Sequence, residues 1–552
     1  MSDARGPRVR GLVLALAAGA LPGLAAPWLD ARILQPGDLA GAALVLPLVL
    51  VLARLVPSTP PRPTGLALGL ALVCTAVLGG AAHLRLPTTV TNDEAAILFQ
   101  ADTFASGRLA APLGHRPYAD PVAHCPTHRR QVYEDAERGL RFSKYAPGPA
   151  LFLAPLRAAG LPAAFGPVLA GLLSVLLLHR LARRYGLAAP DRAALLLATS
   201  PFFLLVTSSF QSEAFTLPAA LAGFLLLLRL RRSGGRAAAV GLGAVAGWIF
   251  LCRPLTGVVF ALACLPALLR RGEDGRPAPG PAAVAAAVLG GLPFLAASLC
   301  YDHALTGEWL LSPYQLYARD FGPFFPAGHP RAGQPLDVYG NGDPLTGLLR
   351  QAGRWSVALF GILGAVALGF WGLWRLRRRD GGAGLALAVL LPFAYAFHWY
   401  SGHWAYLGPL YAFESLGLLL IGALVLLEQA PPAWRRALPL AAVVAGPVLF
   451  LVRFRLAEDQ ARERWRPQAA AAAAPADAVV LIPRPPLAVD PGKLFLPDLP
   501  PFPADRPVIL RELSTPGRTR AALAELGLGD RPVLRFLPGT LPEEDLLQPY
   551  EP

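Results

Sequence analysis

The stretch GPVLAGLLSVLLLHRLARRYG, residues 166–186, decides the fold class. From Gly166 to Leu178 it carries no charge, and it closes on Arg180, Arg183 and Arg184. A helix that crosses a bilayer needs about 20 mostly apolar residues, and cations gather at its cytoplasmic end. This run has both properties. Working outward, similar runs begin near Gly11, Asp38, Thr64, Pro162, Ala193, Glu213, Arg236, Leu255, Ala282, Trp355, Gly384, Gly408 and Leu438, about thirteen in all. The 552-residue chain is 54% hydrophobic and 16% charged, with mean hydropathy +0.45. That is too little polar surface for a soluble protein of this length. The expectation is an all-α polytopic membrane protein of about 13 transmembrane helices, with a small C-terminal extracytoplasmic α/β domain.

The net charge of +14 does not point to nucleic acid, because of where the cations lie. They sit in short loops: Arg8 and Arg10; Arg180, Arg183 and Arg184; Arg229, Arg231 and Arg232; Arg270 and Arg271; Arg375, Arg377, Arg378 and Arg379; Arg435 and Arg436. Every second loop is basic, which is the positive-inside pattern. It places the N-terminus in the cytoplasm and the C-terminus outside. The first segment also ends on LAAPW after a basic start, the form of a cleaved signal, and cleavage leaves the downstream orientation unchanged. The Ala, Arg, Gly and Pro bias is that of a high-GC bacterial genome, so the expected location is the bacterial plasma membrane. Of five cysteines, Cys74, Cys252, Cys264 and Cys300 fall in or beside apolar runs, which is no disulfide framework.

This topology divides the chain into N-terminal spans (1–84), a first large outer loop (85–161), a membrane core with a second outer loop (162–454, loop 301–354), and a linker with an outer domain (455–552). The inner loops are short, and every histidine except His179 maps outside. In the tail, AVVLIP, PVILREL and PVLRFLP read as strands. Between the last two, TPGRTRAALAELGLG reads as a helix capped by Thr515 with Pro516 at its first position.

Two motifs lie in the first outer loop. TNDEAAILFQ, residues 91–100, opens on Asp93 and Glu94 directly after an apolar run. Acids in a first helical turn are favoured by the macrodipole, and Thr91 and Asn92 are good caps. A capped helix start at the interface accounts for the pair by itself. Adjacent helical residues point about 100° apart, so the two acids cannot share one task. The second motif is RFSKYAPGPALFLAP, residues 141–155. Lys144 reads either as a snorkelling cation or as a point charge for a phosphate.

Taken together, the motifs are similar to those of the GT-C superfamily of polyprenyl-phosphate-sugar-dependent glycosyltransferases. The chain resembles the protein O-mannosyltransferase and aminoarabinose-transferase branch over roughly residues 85–430. NDEAAILFQADTFASGRLAAP is similar to the acidic motif, SKYAPGPALFLAP to the Lys-Pro-Pro motif, and residues 166–186 to the helix that follows. The resemblance implies Asp93 and Glu94 as the catalytic pair, with Asp93 as general base and Glu94 in support. It also implies Lys144 on the donor phosphate and inversion at the anomeric carbon. It implies a polyprenyl-phosphate sugar as co-substrate, no cofactor and no required divalent metal. The partners are then a lipid-linked sugar donor, an acceptor of unspecified class and membrane lipids, with no nucleic acid.

Other positions carry weaker signals. Arg253, in LCRPLTG, is a second candidate for donor phosphate or a snorkelling arginine. Tyr145, Tyr314, Tyr317, Arg319, His398, His403 and Tyr411 are candidates to line the substrate site, against an aromatic belt at the interface. Related sequences often read Gly-Pro-Arg-Tyr where this chain has Leu410 before Tyr411. His124, Cys125 and His128 have ligand-capable side chains at close spacing, and His115 is a candidate fourth ligand, but a metal site also needs second-shell support and the expectation is no metal. Glu213 marks an outer turn. A transporter or flippase of a polyprenyl-linked lipid, and a non-catalytic membrane scaffold, are the competing readings.

Overall fold

The computed structural model describes residues 65–114, 131–271, 277–321, 344–345, 348, 355, 365–398, 403–404, 408–483, 496–513, 515–539 and 544–550. The spans expected near Gly11 and Asp38 and the AHCPTHRR segment with His115 lie outside these residues. Among the described residues, six helical runs are long and apolar enough to cross a membrane. They are α1 (Leu66–Arg85), α4 (Phe165–Arg184), α7 (Glu213–Ser233), α10 (Gly280–Thr306), the run Leu410–Leu427, and α15 (Pro432–Ala471). Shorter apolar helices stand beside them: α8 (Arg236–Cys252), α9 (Pro254–Leu269) and α13 (Ala383–Ala396), with α12 (Ala365–Leu376) next to α13 in the chain. Gly234 and Gly307 end α7 and α10 in the left-handed region, where a residue without Cβ is at home.

One expected span is broken. The run near Ala193 forms two short helices, α5 (Pro190–Ala198) and α6 (Pro201–Thr207). Ser200 caps the second through Phe203 N, and Pro201 takes its first position, so the chain restarts where the apolar pattern alone reads straight through. Apolar helices in lipid associate through close packing rather than water exclusion. Gly243 of α8 and Gly290 of α10 show this, since a Cβ on either would strike backbone of the facing helix, at Ala287 and Val240.

The helices run between two ends. At one end gather Arg184, Arg231, Arg232, Arg270, Arg271 and Arg379. Arg231 donates to the carbonyls of Arg270 and Arg271 at 3.1 Å and to that of Arg379 at 3.2 Å. Beside it, Asp380 accepts from the Tyr185 hydroxyl at 2.9 Å and from the backbone N–H groups of Gly382 and Gly384. This end is tied by side chains onto otherwise unpaired helix-terminal carbonyls. The opposite end carries the segment between α1 and α4, which the sequence reads as the first outer loop.

That loop holds more structure than its sequence shows. Helix α2 (Asn92–Ala105) is followed by a small antiparallel sheet of β1 (Ala111–Pro112), β2 (Val132–Asp135) and β3 (Leu140–Ser143), ordered β1-β3-β2, and then by α3 (Gly148–Ala158). The second outer segment contributes α11 (Pro313–Phe321). After α13, the two-residue strands β4 (His403–Trp404) and β5 (Gly408–Pro409) pair, and a 3₁₀ turn (Leu410–Ser415) leads into α14 (Leu416–Leu427).

The charged stretch RLAEDQARERWRP, where the sequence places the start of the linker, continues α15 without a break to Ala471. Glu458 and Arg462, one turn apart at 2.7 Å, support this extension. Beyond it β6 (Val479–Ile482), β7 (Val508–Arg511), α16 (Pro516–Glu525), β8 (Val533–Leu537) and β9 (Leu546–Pro549) form a four-stranded sheet ordered β7-β6-β8-β9. β6 runs parallel to both β7 and β8, and β9 closes one edge antiparallel. Thr515 caps α16 by accepting from Arg518 N at 3.4 Å.

Candidate active site

The acidic pair separates into two roles. Thr91, in extended conformation, caps α2, and its hydroxyl accepts from Glu94 N at 3.1 Å. Glu94 Oε1 returns the contact, accepting from Thr91 N at 3.1 Å and the Thr91 hydroxyl at 3.0 Å. Its other oxygen accepts from Phe210 N at 3.2 Å. Glu94 is 1% exposed, and burial pushes its carboxyl up against the pull of these hydrogen bonds. Both oxygens are thus engaged in a capping box and a bridge to the segment before α7. Glu94 braces the turn.

Asp93 faces elsewhere. It is half-buried and meets the Tyr145 hydroxyl. Burial, and then the negative charge of Asp93, holds the Tyr145 phenol well above its usual range. The phenol therefore stays protonated and donates to the carboxylate.

Strand β3 delivers Lys144 next to Tyr145. Ser143 N donates to Gln100 Oε1 at 2.8 Å, tying the strand end to α2, and Lys144 N donates to Gln131 O at 3.0 Å. The Lys144 side chain is buried, with Nζ 5.0, 4.7 and 4.8 Å from the ring centres of Tyr145, Tyr314 and Tyr317. Tyr314 and Tyr317 stand three residues apart on α11 and so share a face. A desolvated cation over such faces gains roughly 0.5–2 kcal/mol per ring, which offsets part of the cost of its burial. Arg319 does not join them. It is exposed and pairs with Glu308 at 3.8 Å, because two residues beyond Tyr317 the helix has turned about 200°.

Arg253 sits in the break between α8 and α9, with Pro254 opening the second helix. Its side chain is 9% exposed, so it is a buried ion-pair centre rather than a snorkelling residue. It bonds Glu213, donates to Ser212 Oγ at 3.0 Å, to Thr256 Oγ1 and the Tyr395 hydroxyl at 3.2 Å, and lies 3.8 Å from Glu414. Glu414 accepts in turn from Thr216 at 2.6 Å. Tyr395 and Tyr411 stack at 4.1 Å, with the guanidinium 5.5 and 5.3 Å from their ring centres. His398 packs edge-on against both rings. For His403 only the backbone is described, paired with Pro409. Leu410 is buried in the core, and among the described residues the guanidinium of Arg253 lies over the neighbouring Tyr411 ring.

Tyr145 joins the two halves, since Asp93, Tyr314 and Tyr411 all act on its hydroxyl. Helix α3 starts at Gly148, where a Cβ would stand 2.8 Å from Cys252 N and 2.9 Å from Cys252 Cα. Glycine lets the Lys144 segment close onto the residue just before Arg253. Asp93, Lys144, Tyr145, Arg253, Tyr314, Tyr317, His398 and Tyr411 therefore form one contiguous group at the end of the molecule opposite the arginine clusters.

Residues 150–300 match the sequence family described as dolichyl-phosphate-mannose-protein mannosyltransferase. The matched stretch runs from α3 into α10 and includes Glu213 and Arg253. Asp93, Lys144 and Tyr145 precede it, and Tyr395, Tyr411 and Glu414 follow it. Among solved structures, the chain is similar to the crystal structure of ArnT from Cupriavidus metallidurans bound to undecaprenyl phosphate. Identity is 13%, the alignment covers 85% of this chain and 92% of that one, and the TM-score is 0.49. No curated protein matches the sequence.

Sequence reading alone misses Glu414, Tyr395, Ser212 and Thr216, and gives Glu213 no task beyond marking an interface. The available signal is the position of Glu414 at the head of an apolar run. An acid there must find a cation or a donor.

Proposed function

We propose that this chain is a multi-pass membrane glycosyltransferase that moves a sugar from a polyprenyl-phosphate donor to an acceptor hydroxyl, with inversion. The observation that carries this reading is the meeting of Asp93, Tyr145 and Lys144. Glu94 is held by the cap, and Glu213 and Glu414 by Arg253. Asp93 is the acid of the group whose described partner is a neutral hydroxyl. It is the general base. It takes the proton of the acceptor hydroxyl as that oxygen bonds to the anomeric carbon and the bond to the phosphate oxygen breaks. Tyr145 orients the carboxylate. A positioned base supplies about 10²–10⁴-fold.

The departing polyprenyl phosphate carries the negative charge, and cations fixed beforehand near such charge contribute most of the remaining stabilisation. Lys144 in its tyrosine cage and Arg253 between two carboxylates are those cations. In this reading the site lies at the outer face of a bacterial plasma membrane, with the N-terminus in the cytoplasm and the C-terminal domain outside, an orientation that the positive-inside distribution of arginines supports. The reaction needs no cofactor and no metal in this reading.

The test is a comparison, in the native host, of a deletion strain with its wild-type complement. Glycolipids, surface glycans and glycoproteins are profiled by mass spectrometry. The expected result is one sugar-bearing species lost on deletion and restored by the wild-type chain. An unchanged sugar inventory, with a polyprenyl-linked lipid displaced from one leaflet to the other, would replace transfer by transport.

A further inference from the structure

The extension of α15 reaches the turn that carries Asp93. Arg464, 1% exposed, donates from Nη1 to Val90 O at 3.0 Å and from Nη2 to Asn92 Oδ1 at 2.8 Å. Its charge also acts favourably on Glu94. One turn and a half earlier on the same helix, Glu458 pairs with Arg85 at 2.8 Å, at the last residue of α1. The segment from α1 to α2 is thus held at both of its ends by one helix. Arg466 lies two residues beyond Arg464 and points about 200° away. It pairs with Asp545, donates to Gly539 O at 2.9 Å and pairs with Glu463 at 3.0 Å. That side anchors the helix to the C-terminal sheet.

We infer that Arg464 is a positioning residue for Asp93, and this inference rests on the reading of Asp93 as the base. The guanidinium spans the residues on either side of the cap, Val90 and Asn92. It fixes the first turn of α2 in translation and in rotation about its axis. Asp93 follows Asn92 directly, so its direction toward the acceptor is set by this two-point grip. Glu94 and Thr91 close the turn on itself, while Arg464 ties the closed turn to a second element. The C-terminal domain, through Arg466, keeps that second element in place.

The experiment uses the full-length protein at equal membrane level in the deletion strain. Formation of the restored sugar-bearing species is followed over time, and undecaprenyl phosphate binding is measured on the purified chain. A displacement of about 1 Å from productive geometry costs about 10²-fold, so Arg464→Ala is expected to slow product formation by roughly 10–100-fold. Its undecaprenyl phosphate affinity stays unchanged. Arg464→Lys, which keeps one of the two contacts, restores part of the rate. In an Asp93→Asn background, Arg464→Ala makes no further loss. Should Arg464→Ala fail to accumulate, Asn92→Ala, which removes one contact and leaves the arginine buried, carries the test in the same direction. Wild-type rates for both variants beside an inactive Asp93→Asn overturn the inference and leave the base reading intact. Equal losses of rate and of lipid binding also overturn it, since they mark a general structural role. Full activity of Asp93→Asn defeats the base reading itself.

Discussion

The Lys144 ammonium lies 4.7 Å from the centre of the Tyr314 ring, bringing a lysine of the first outer loop under a helix of the second. Tyr145 and Tyr317 complete the cage at 5.0 and 4.8 Å. Aromatic faces stabilise a cation without neutralising it, and the proposed function sets this ammonium against the donor phosphate. A hydrogen bond to a charged group contributes about 1.5–3 kcal/mol. Lys144→Met is therefore expected to weaken undecaprenyl phosphate binding by roughly 10–100-fold. Tyr314→Phe, which keeps the ring, is expected to change it little. Titration of the purified chain with undecaprenyl phosphate checks both.

Glu94 and Asp93 are expected to fail in different ways. Glu94→Ala removes the capping box and leaves Phe210 N without its acceptor, costing about 1–3 kcal/mol. It should appear as a lower melting temperature in detergent. Glu94→Gln keeps a side-chain oxygen for the cap and should recover most of that loss. Asp93→Asn should leave the melting temperature near that of the wild type.

Arg253 is the centre of a buried ion-pair cluster, and the proposed function adds the donor phosphate to its partners. Arg253→Ala leaves Glu213 and Glu414 buried without their cation, and breaking such a pair costs about 3–5 kcal/mol. Adding Glu213→Gln should restore part of the melting temperature by removing one stranded charge. It should not restore undecaprenyl phosphate binding. Recovery of binding in the double variant would remove Arg253 from the donor site.

Gly148 tests the contact between the two halves of the site. In Gly148→Ala the new methyl meets the backbone of Cys252 at 2.8–2.9 Å, and backbone cannot swing aside as a side chain can. The start of α3 must move away from Arg253, which carries Lys144 with it. Weaker undecaprenyl phosphate binding is expected, and Cys252→Ala, which removes the Sγ contact but leaves the main-chain ones, should rescue it only in part. Binding equal to wild type would show that the close approach is not needed.

Asp93, Lys144 and Arg253 each stand at one end of an apolar segment, where a charge has to be explained. That position alone leaves a capped turn or a snorkelling cation as sufficient, and the roles of Asp93 and Lys144 come from the resemblance. Tyr145, Tyr314, Tyr317, His398 and Tyr411 then fall beside them. What stays hidden depends on distance along the chain or on helical phase. Nothing local in the sequence pairs Arg253 with Glu213 and Glu414. Arg319 looks like a companion of Tyr314 and Tyr317 until the turn of α11 sends it outward to Glu308. The apolar pattern near Ala193 conceals a break because Ser200 and Pro201 restart the helix. The charged stretch 455–467 carries no apolar period, and Glu458 with Arg462 and the buried Arg464 make it helix. The small sheet of the first outer loop has strands too short to show a period.

Product formation by Asp93→Asn decides whether this carboxylate is the base. The variant is expressed in the deletion strain at wild-type level, and the sugar-bearing species restored by the wild-type chain is quantified by mass spectrometry. The account predicts a fall of about 10²-fold or more, with undecaprenyl phosphate binding by the purified variant retained. Restoration of the species to wild-type amount by Asp93→Asn would contradict it, and the carboxylate beside Tyr145 would then be no base.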